Sequence, residues 1–269
     1  MPRDSSIKVG IIGLGVMGEA LLVAISRSGV SLLDIGISDE REHRIIELNQ
    51  KYGCKIMSAS DVASQANNIL LVVKPQDLHS LLGKIGKSIS KNQRVVSFVA
   101  GKSTSLIEKY LNDRVPVIRV MPNTPMSVGV GASAISAGKY AGDDDLNVVE
   151  DLLKASGKTI YVEEKLQDAV TATSGSGPAY FFRFVEAMIM AAQELGLAES
   201  DARTLVIQTI AGASEMLKQE GASPKVLREN VTSPNGTTFA ALQVFESNDL
   251  ETIVKKAMRA ARDRSQELS

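Results

Sequence analysis

The sequence predicts an α/β fold in its first part and an all-helical fold in its second. Short apolar runs alternate with helical patterns from Ile7 to about Lys154, strand signal all but vanishes after about Glu164, and three closely spaced glycines follow the first apolar run. With 269 residues, 44% of them hydrophobic, the chain holds enough material for two domains with real cores. Their expected limits are 1–164 and 165–269.

Ile7–Ile12 reads as a strand, followed at once by glycines and by a helix from about Val16 to Ser28. Asp34–Ser38 reads as a second strand and Glu40–Lys51 as its helix. Asn68–Val73, Arg94–Val99 and Val115–Val120 add further strands, with helices over Asp77–Lys87 and Ser103–Leu111 between them. A strand near Val130–Ala137 and a helix near Asp143–Lys154 complete the series. Alternation of this kind argues for parallel β-α-β units with helices on both sheet faces.

Ala179–Leu195, Glu199–Glu220, Pro224–Asn230, Thr238–Phe245 and Asp249–Arg264 read as helices. Pro178 falls in the first turn of its helix, where a missing amide donor is harmless. The helix from Ala179 carries Phe181, Phe182, Phe184, Val185, Met188, Ile189 and Met190, apolar on nearly every side. Such a helix wants burial all round, so this half is expected to form an intimate dimer. Lys255, Lys256, Arg259, Arg262 and Arg264 on the last helix read as a solvated face with acidic partners.

Composition excludes several functions. Lys plus Arg number 30 against 31 for Asp plus Glu, leaving no basic surplus for nucleic acid or an anionic membrane. Cys54 is the single cysteine, which suits a reducing compartment, and His43 and His79 are too isolated for a zinc site; both read as solvated helix residues. Met1–Ser6 is polar, unlike a signal peptide. The most apolar later stretch, Ala179–Ala192, is broken by Arg183 and Glu186 and falls short of the roughly 20 residues that span a bilayer. A cytoplasmic protein is expected.

Gly13-Leu14-Gly15-Val16-Met17-Gly18 follows the first strand and opens a helix, the context in which this spacing marks a Rossmann-type dinucleotide-binding turn. Gly13 permits the tight turn, Gly15 lets backbone approach a pyrophosphate, and Gly18 lets the helix pack. The freed amides and the helix dipole attract the diphosphate. The second strand ends Ser38-Asp39-Glu40-Arg41. Asp39 suits the two ribose hydroxyls of NADH, whereas Ser38 and Arg41 suit the 2′-phosphate of NADPH, and the choice stays open. Lys74-Pro75 and Ser97–Gly101 fall where a sheet's carboxyl edge faces a cofactor.

Three further segments are distinctive: Arg119-Val120-Met121-Pro122-Asn123-Thr124-Pro125, Ser174-Gly175-Ser176-Gly177-Pro178-Ala179-Tyr180, and Val231-Thr232-Ser233-Pro234-Asn235-Gly236-Thr237-Thr238. The last two precede helices, so Ser176, and Thr237 or Thr238, are expected as N-caps. Exposed amides at such starts also bind a carboxylate.

With the glycine loop, these segments resemble pyrroline-5-carboxylate reductases. The resemblance runs from Val9 to about Leu268 and includes Val72-Val73-Lys74-Pro75, the Ala100-Gly101 step and Asp168-Ala169-Val170-Thr171. It implies reduction of the cyclic imine 1-pyrroline-5-carboxylate to L-proline by NADPH or NADH, the last step of proline biosynthesis. It also implies an obligate dimer, with a decamer as the larger assembly it allows, and an active site joining the glycine-rich domain of one subunit to its neighbour's helices. Under the resemblance Thr238 is catalytic and hydrogen-bonds the ring nitrogen, while Ser233, Gly236 and Thr237 surround the carboxylate. Glu164, Ser176 and Asn230 join the substrate set. Val72, Val73, Lys74 and Pro75, with Phe98, Val99 and Ala100, flank the nicotinamide half of the cofactor, and Asn123 belongs with them. The chain departs from the family at Asn235, usually a second glycine, where asparagine best tolerates a positive φ. It departs again at Ala59, where some relatives carry an asparagine near the adenosine ribose.

Two other functions fit less well. A β-hydroxyacid dehydrogenase needs a catalytic lysine with an asparagine four residues on, yet neither Lys165 nor Lys218 has one and Lys225 precedes Asn230 by five. A non-catalytic dinucleotide-binding protein needs no Ser174–Tyr180 or Ser233–Thr238.

Overall fold

β-Branched side chains along Ile7–Ile12 favour extended backbone, and this run forms β1, a central strand of an eight-stranded sheet. The computed structural model describes residues 7–219 and 221–268. Met1–Ser6, Glu220 and Ser269, on which parts of the sequence reading fall, lie outside the described residues.

The glycines after β1 lead into α1 (Val16–Arg27), then β2 (Ile35–Ser38) and α2 (Glu42–Tyr52). A two-residue strand β3 (Lys55–Ile56) and a short helix α3 (Ala59–Gln65) precede β4 (Ala66–Leu71). Neither has length enough to show a period, so the sequence reading passed over both. α4 (Leu78–Ile85), β5 (Arg94–Ser97), α5 (Thr104–Glu108) and β6 (Val117–Met121) continue the alternation. β7 (Gly131–Ala137), α6 (Asp143–Leu153) and β8 (Gly157–Tyr161) close it. β8 was also missed: as an edge strand exposing Ile160 and Tyr161, it has no buried apolar run to announce it.

The strand order is β3-β2-β1-β4-β5-β6-β7-β8. Pairing is parallel from β3 to β6, but β7 runs antiparallel to β6, with Ile118 opposite Ala137. The expectation of parallel β-α-β units is corrected at this pair. The Asn123–Val130 turn is too short for a crossover helix, so the chain doubles back.

Both sheet faces are buried, which is why the parallel strands read as continuous apolar runs. On one face Ile11, Leu70 and Val96 pack with Leu21 and Ile25 of α1, Leu48 of α2 and Val149 of α6. On the other, Ile12, Leu71 and Val95 meet Val62 of α3, Leu82 of α4 and Ile107 of α5.

After β8 come α7 (Gln167–Val170) and a π-helical turn, Thr171–Gly175. The helices α8 (Gly177–Glu194), α9 (Glu199–Leu217), α10 (Pro224–Asn230), α11 (Thr237–Ser247) and α12 (Leu250–Glu267) follow. Two compact units divide the described residues. One runs to Pro178 and takes up the chain again from Ala261; the other is Ala179–Ala260. In the second unit Phe184 of α8 and Phe245 of α11 meet with ring centroids 6.3 Å apart. Phe181 and Phe182 are each 62% exposed there and Met190 57%. The acidic partners expected along α12 are present as Lys255–Glu251, Arg262–Asp263 and Arg264–Glu267. No described helix is long and apolar enough to cross a membrane.

Candidate active site

At the carboxyl edge of the sheet, three backbone hydrogen bonds stitch neighbouring loops together. Gly13 N–H donates to Ser38 O, Val72 N–H to Ile12 O, and Phe98 N–H to Leu71 O, at 2.9, 2.8 and 2.9 Å. The expected cofactor residues after β1, β2, β4 and β5 are thereby brought side by side. They converge between β1 and β4, where the chain leaves the sheet in opposite directions and ligands of α/β sheets bind.

Each glycine of the turn has a distinct geometry. Gly13 has φ 103°, and a Cβ there would lie 2.6 Å from Val72 O. A Cβ on Gly18 would fall 2.1 Å from Gly13 O, so this glycine lets α1 close on the turn itself. Around Gly15 there is only open space, its position caps α1 without any side-chain hydrogen bond, and Val16 is 81% exposed. A helix start with free amides, an approachable backbone and no competing cap fits a diphosphate. Met17 packs against the core that buries Leu14 completely.

The residues after β2 are arranged differently from the simplest expectation. The Asp39 carboxylate accepts from Leu14 N–H at 2.6 Å and from the Arg41 backbone N–H, Nε and Nη2 at 2.9, 2.9 and 3.0 Å. Burial opposes its ionisation, but the bonds from the Arg41 side chain and from the Leu14 and Arg41 amides hold its pKa down to about 2. Ser38 is buried, and Arg41 is exposed.

Val72 and Val73 are half-buried against opposite core faces, while Lys74 is exposed. Phe98 and Val99 likewise point into opposite cores, which leaves their backbone, and that of Ala100, at the edge. The Asn123 side chain accepts from Ala132 N–H at 2.8 Å and so fixes the turn between β6 and β7. Glu164 holds the first residue of α5, which Ser103 caps, accepting from Thr104 N–H and Oγ1–H, both at 2.7 Å, with Arg119 Nη1 at 3.6 Å.

The expected N-caps are not formed. Ser176 has αR backbone, because the π turn runs on into α8; its N–H donates to Thr171 O, five residues back, at 2.8 Å. Gly175 within that turn sits against Met121, where a Cβ would lie 2.5 Å from Met121 Cε. At α11 the capping position is Gly236, with no side-chain bond, so Thr237 and Thr238 are the first helical residues rather than caps. Pro178 does lie in the first turn of α8.

In the second unit, Ser233, Asn235, Gly236, Thr237 and Thr238 form one tight turn into α11. Asn235 adopts φ 58°, as its residue type allows. Gly236 N–H donates to Ser233 O at 3.0 Å, and a Cβ on Gly236 would lie 2.3 Å from Ser233 Oγ. Glycine is therefore required for the Ser233 hydroxyl to lie across the turn. Ser233 and Thr237 are exposed, Thr238 is half-buried, and Asn230 ends α10 on the exposed surface.

Glu19, Arg44 and Thr104 also shape the site without any sequence signal, and Arg119, which opens one of the distinctive segments, gains a role at Glu164 that its segment did not indicate. Arg44 Nε donates to Leu14 O at 2.9 Å and its guanidinium pairs with Glu19. These partners lie 25 to 60 positions apart, so no local pattern marks them. Among the described residues no cluster of three or more His, Cys, Asp or Glu could hold a metal ion.

Two family models match the chain: pyrroline-5-carboxylate reductase dimerisation over residues 164–268, and NADP oxidoreductase coenzyme F420-dependent over 8–101. A pyrroline-5-carboxylate reductase of Corynebacterium melassecola is 38% identical over 97% of this chain and 98% of its own. A solved pyrroline-5-carboxylate reductase of Coxiella burnetii superposes with TM-score 0.90 at 34% identity, covering 98% of this chain and 99% of that one. A pyrroline carboxylate reductase of Plasmodium falciparum, solved with NADP bound, gives TM-score 0.86 at 29% identity over 97% and 98%.

Proposed function

The chain belongs to the pyrroline-5-carboxylate reductase family, and on that premise we propose that it reduces 1-pyrroline-5-carboxylate to L-proline, the last step of proline biosynthesis. The observation that carries the reading is the Ser233–Thr238 turn, which presents a hydroxyl, a helix start with no side-chain cap and a further hydroxyl at Thr238 within six residues.

NADPH or NADH, held by the Gly13–Gly18 turn with Asp39, Arg41, Val72–Pro75, Phe98–Ala100 and Asn123 around it, supplies the hydride. The remaining work is positional. Ser233 Oγ and the amides of Gly236 and Thr237 take the substrate carboxylate at the start of α11, where backbone donors and the helix dipole favour an anion. Thr238 Oγ1 then lies one residue further along and hydrogen-bonds the ring nitrogen. A threonine hydroxyl is a poor general acid, so its part is to orient an imine that is already protonated. Proximity and orientation supply most of the barrier reduction. Asn230 joins the Ser233–Thr238 turn as a substrate residue of the second unit, and Ser176 and Glu164 are the proposed substrate residues of the first, where Glu164 holds Thr104 at the start of α5.

Residues 1–164 act as the dinucleotide-binding domain, and 165–269 as the dimerisation and substrate-binding domain. The assembly is a homo-oligomer built from dimers, with a decamer as its largest form, and the protein works in the cytoplasm. NAD(P)H oxidation assayed with pyrroline-5-carboxylate, and separately with 3-hydroxy acids, tests the reading. Turnover of the imine alone is expected, and turnover of hydroxy acids instead would replace this function with a dehydrogenase. Thr238→Ala is expected to lower kcat by about 10²-fold while NAD(P)H affinity is kept; unchanged kcat removes Thr238 from the mechanism.

A further inference from the structure

We propose that Asp39 is a positioning residue that clamps the phosphate-binding turn through the Leu14 peptide, and that it does not read the adenosine ribose. The proposal rests on the reductase reading in that a nicotinamide dinucleotide is the ligand. An aspartate ending the second strand of such a domain ordinarily offers its oxygens to the ribose hydroxyls. Here the oxygens are already engaged. A carboxylate has about four acceptor sites, and Leu14 N–H, Arg41 N–H, Arg41 Nε and Arg41 Nη2 supply four donors. The Asp39 side chain is 8% exposed, leaving no open face for a further hydroxyl.

The other side of Leu14 is held as firmly. Arg44 Nε donates to Leu14 O at 2.9 Å, and Arg44 is itself tied to Glu19 in the first turn of α1 and to Glu47 on α2. The Leu14 side chain is wholly buried. Both peptide groups flanking this one Cα are therefore fixed by side chains of opposite charge, and the residue between them is locked in the core. The turn that follows, Gly15 and the first amides of α1, is set before any ligand arrives, and preorganisation of this kind raises affinity by lowering the ordering cost of binding. Arg41 neutralises the clamp, so Asp39 opposes a 2′-phosphate far less than a free carboxylate would. The aspartate thus ceases to be a signal for NADH.

The test uses the full-length protein and its Asp39→Ala and Asp39→Asn variants. Fluorescence titration gives the Kd of NADPH and NADH without substrate, steady-state rates separate KM from kcat, and amide exchange reports the turn in cofactor-free protein. Asp39→Ala is expected to raise both Kd values about tenfold, the loss of one charge-assisted hydrogen bond. Their ratio should stay within about threefold, as expected for a charge already paired. Exchange at Leu14 should quicken. Asn keeps an oxygen for Leu14 N–H, so Asp39→Asn should fall between wild type and Asp39→Ala; should the alanine variant not fold, the ratio in Asp39→Asn decides alone. A variant that weakens NADH selectively and leaves NADPH untouched would make Asp39 a ribose reader. Unchanged Kd values with unchanged exchange at Leu14 would abolish the clamp. Wild-type protein binding neither dinucleotide would overturn the reductase reading, while exchange at Leu14 in the cofactor-free variants would still decide the clamp.

Discussion

Gly15 and Gly18 lie three residues apart and do opposite things, which makes them separable by mutation. A methyl on Gly18 would collide with Gly13 O at 2.1 Å, a backbone atom that cannot swing away, whereas a methyl on Gly15 meets nothing within 4 Å. Gly18→Ala should therefore damage the fold, costing about 1–3 kcal/mol as overpacking does, and lower the melting temperature. Gly15→Ala should melt like wild type and still lose dinucleotide affinity by tenfold or so, because the methyl occupies the path of the pyrophosphate. Thermal melts read beside NADPH titrations check the pair; a Gly15→Ala protein with full affinity would move the diphosphate elsewhere. Asn235 is a milder case. At φ 58° a glycine is unstrained and a β-branched residue is not. Asn235→Gly should leave KM for the imine within about twofold, while Asn235→Val should cost roughly 1–2 kcal/mol and raise it.

At the scale of elements, one carboxylate straps α1 to α2. Glu19 accepts from Lys51 Nζ and Tyr52 Oη, both at 2.8 Å, and pairs with Arg44. The hydrogen bond from Lys51, opposed by burial and joined by those from Arg44 and Tyr52, lowers its pKa from 4.5 to about 2. A carboxylate depressed on folding contributes stability above its unfolded pKa and loses it as pH falls through the folded one. The strap is thus complete above pH 4.5 and fails progressively towards pH 2. Denaturant titrations should show Glu19→Gln less stable than wild type at pH 7, with the gap closing across that range; a gap that persists at pH 2 would deny the strap its charge.

What the sequence made legible follows the same division. β1 and α10 stand where their residues put them, since Ile7–Ile12 is a buried run and Pro224 fixes a helix start. β8 and β3 escaped because exposed edge strands need no apolar alternation, and the reversal of β7 because direction is written in a loop length. Of the site, the glycine turn and the Ser233–Thr238 turn were visible, being local. The Asp39 clamp and the Glu164–Thr104 bond were not, because each depends on partners that only tertiary structure supplies, and the π turn before α8 was not, because the Ser-Gly-Ser-Gly run reads equally as an N-cap.

The whole molecule is set by what its second unit leaves uncovered. Phe181, Phe182, Met190, Leu205 and Val244 are each more than half exposed within one chain, and exposed large apolar side chains gathered in one segment mark an interaction surface. The matching family model over 164–268 is that of pyrroline-5-carboxylate reductase dimerisation, so this is the surface on which a second copy is expected. Burial of apolar area at about 25 cal/mol per Å² then stabilises helices that have little core of their own, and folding of this unit is linked to protein concentration. Phe182→Glu places a charge in the apolar surface, where an unpaired ion is heavily penalised. Sedimentation velocity should show the variant dissociating at concentrations where wild type stays dimeric. Its NADPH affinity should remain within about threefold, since the glycine turn has its own core, while imine reduction should fall at least tenfold if the site joins neighbouring subunits, as the family resemblance implies. A monomer that sediments as such and still turns over at the wild-type rate would place the complete active site within a single chain.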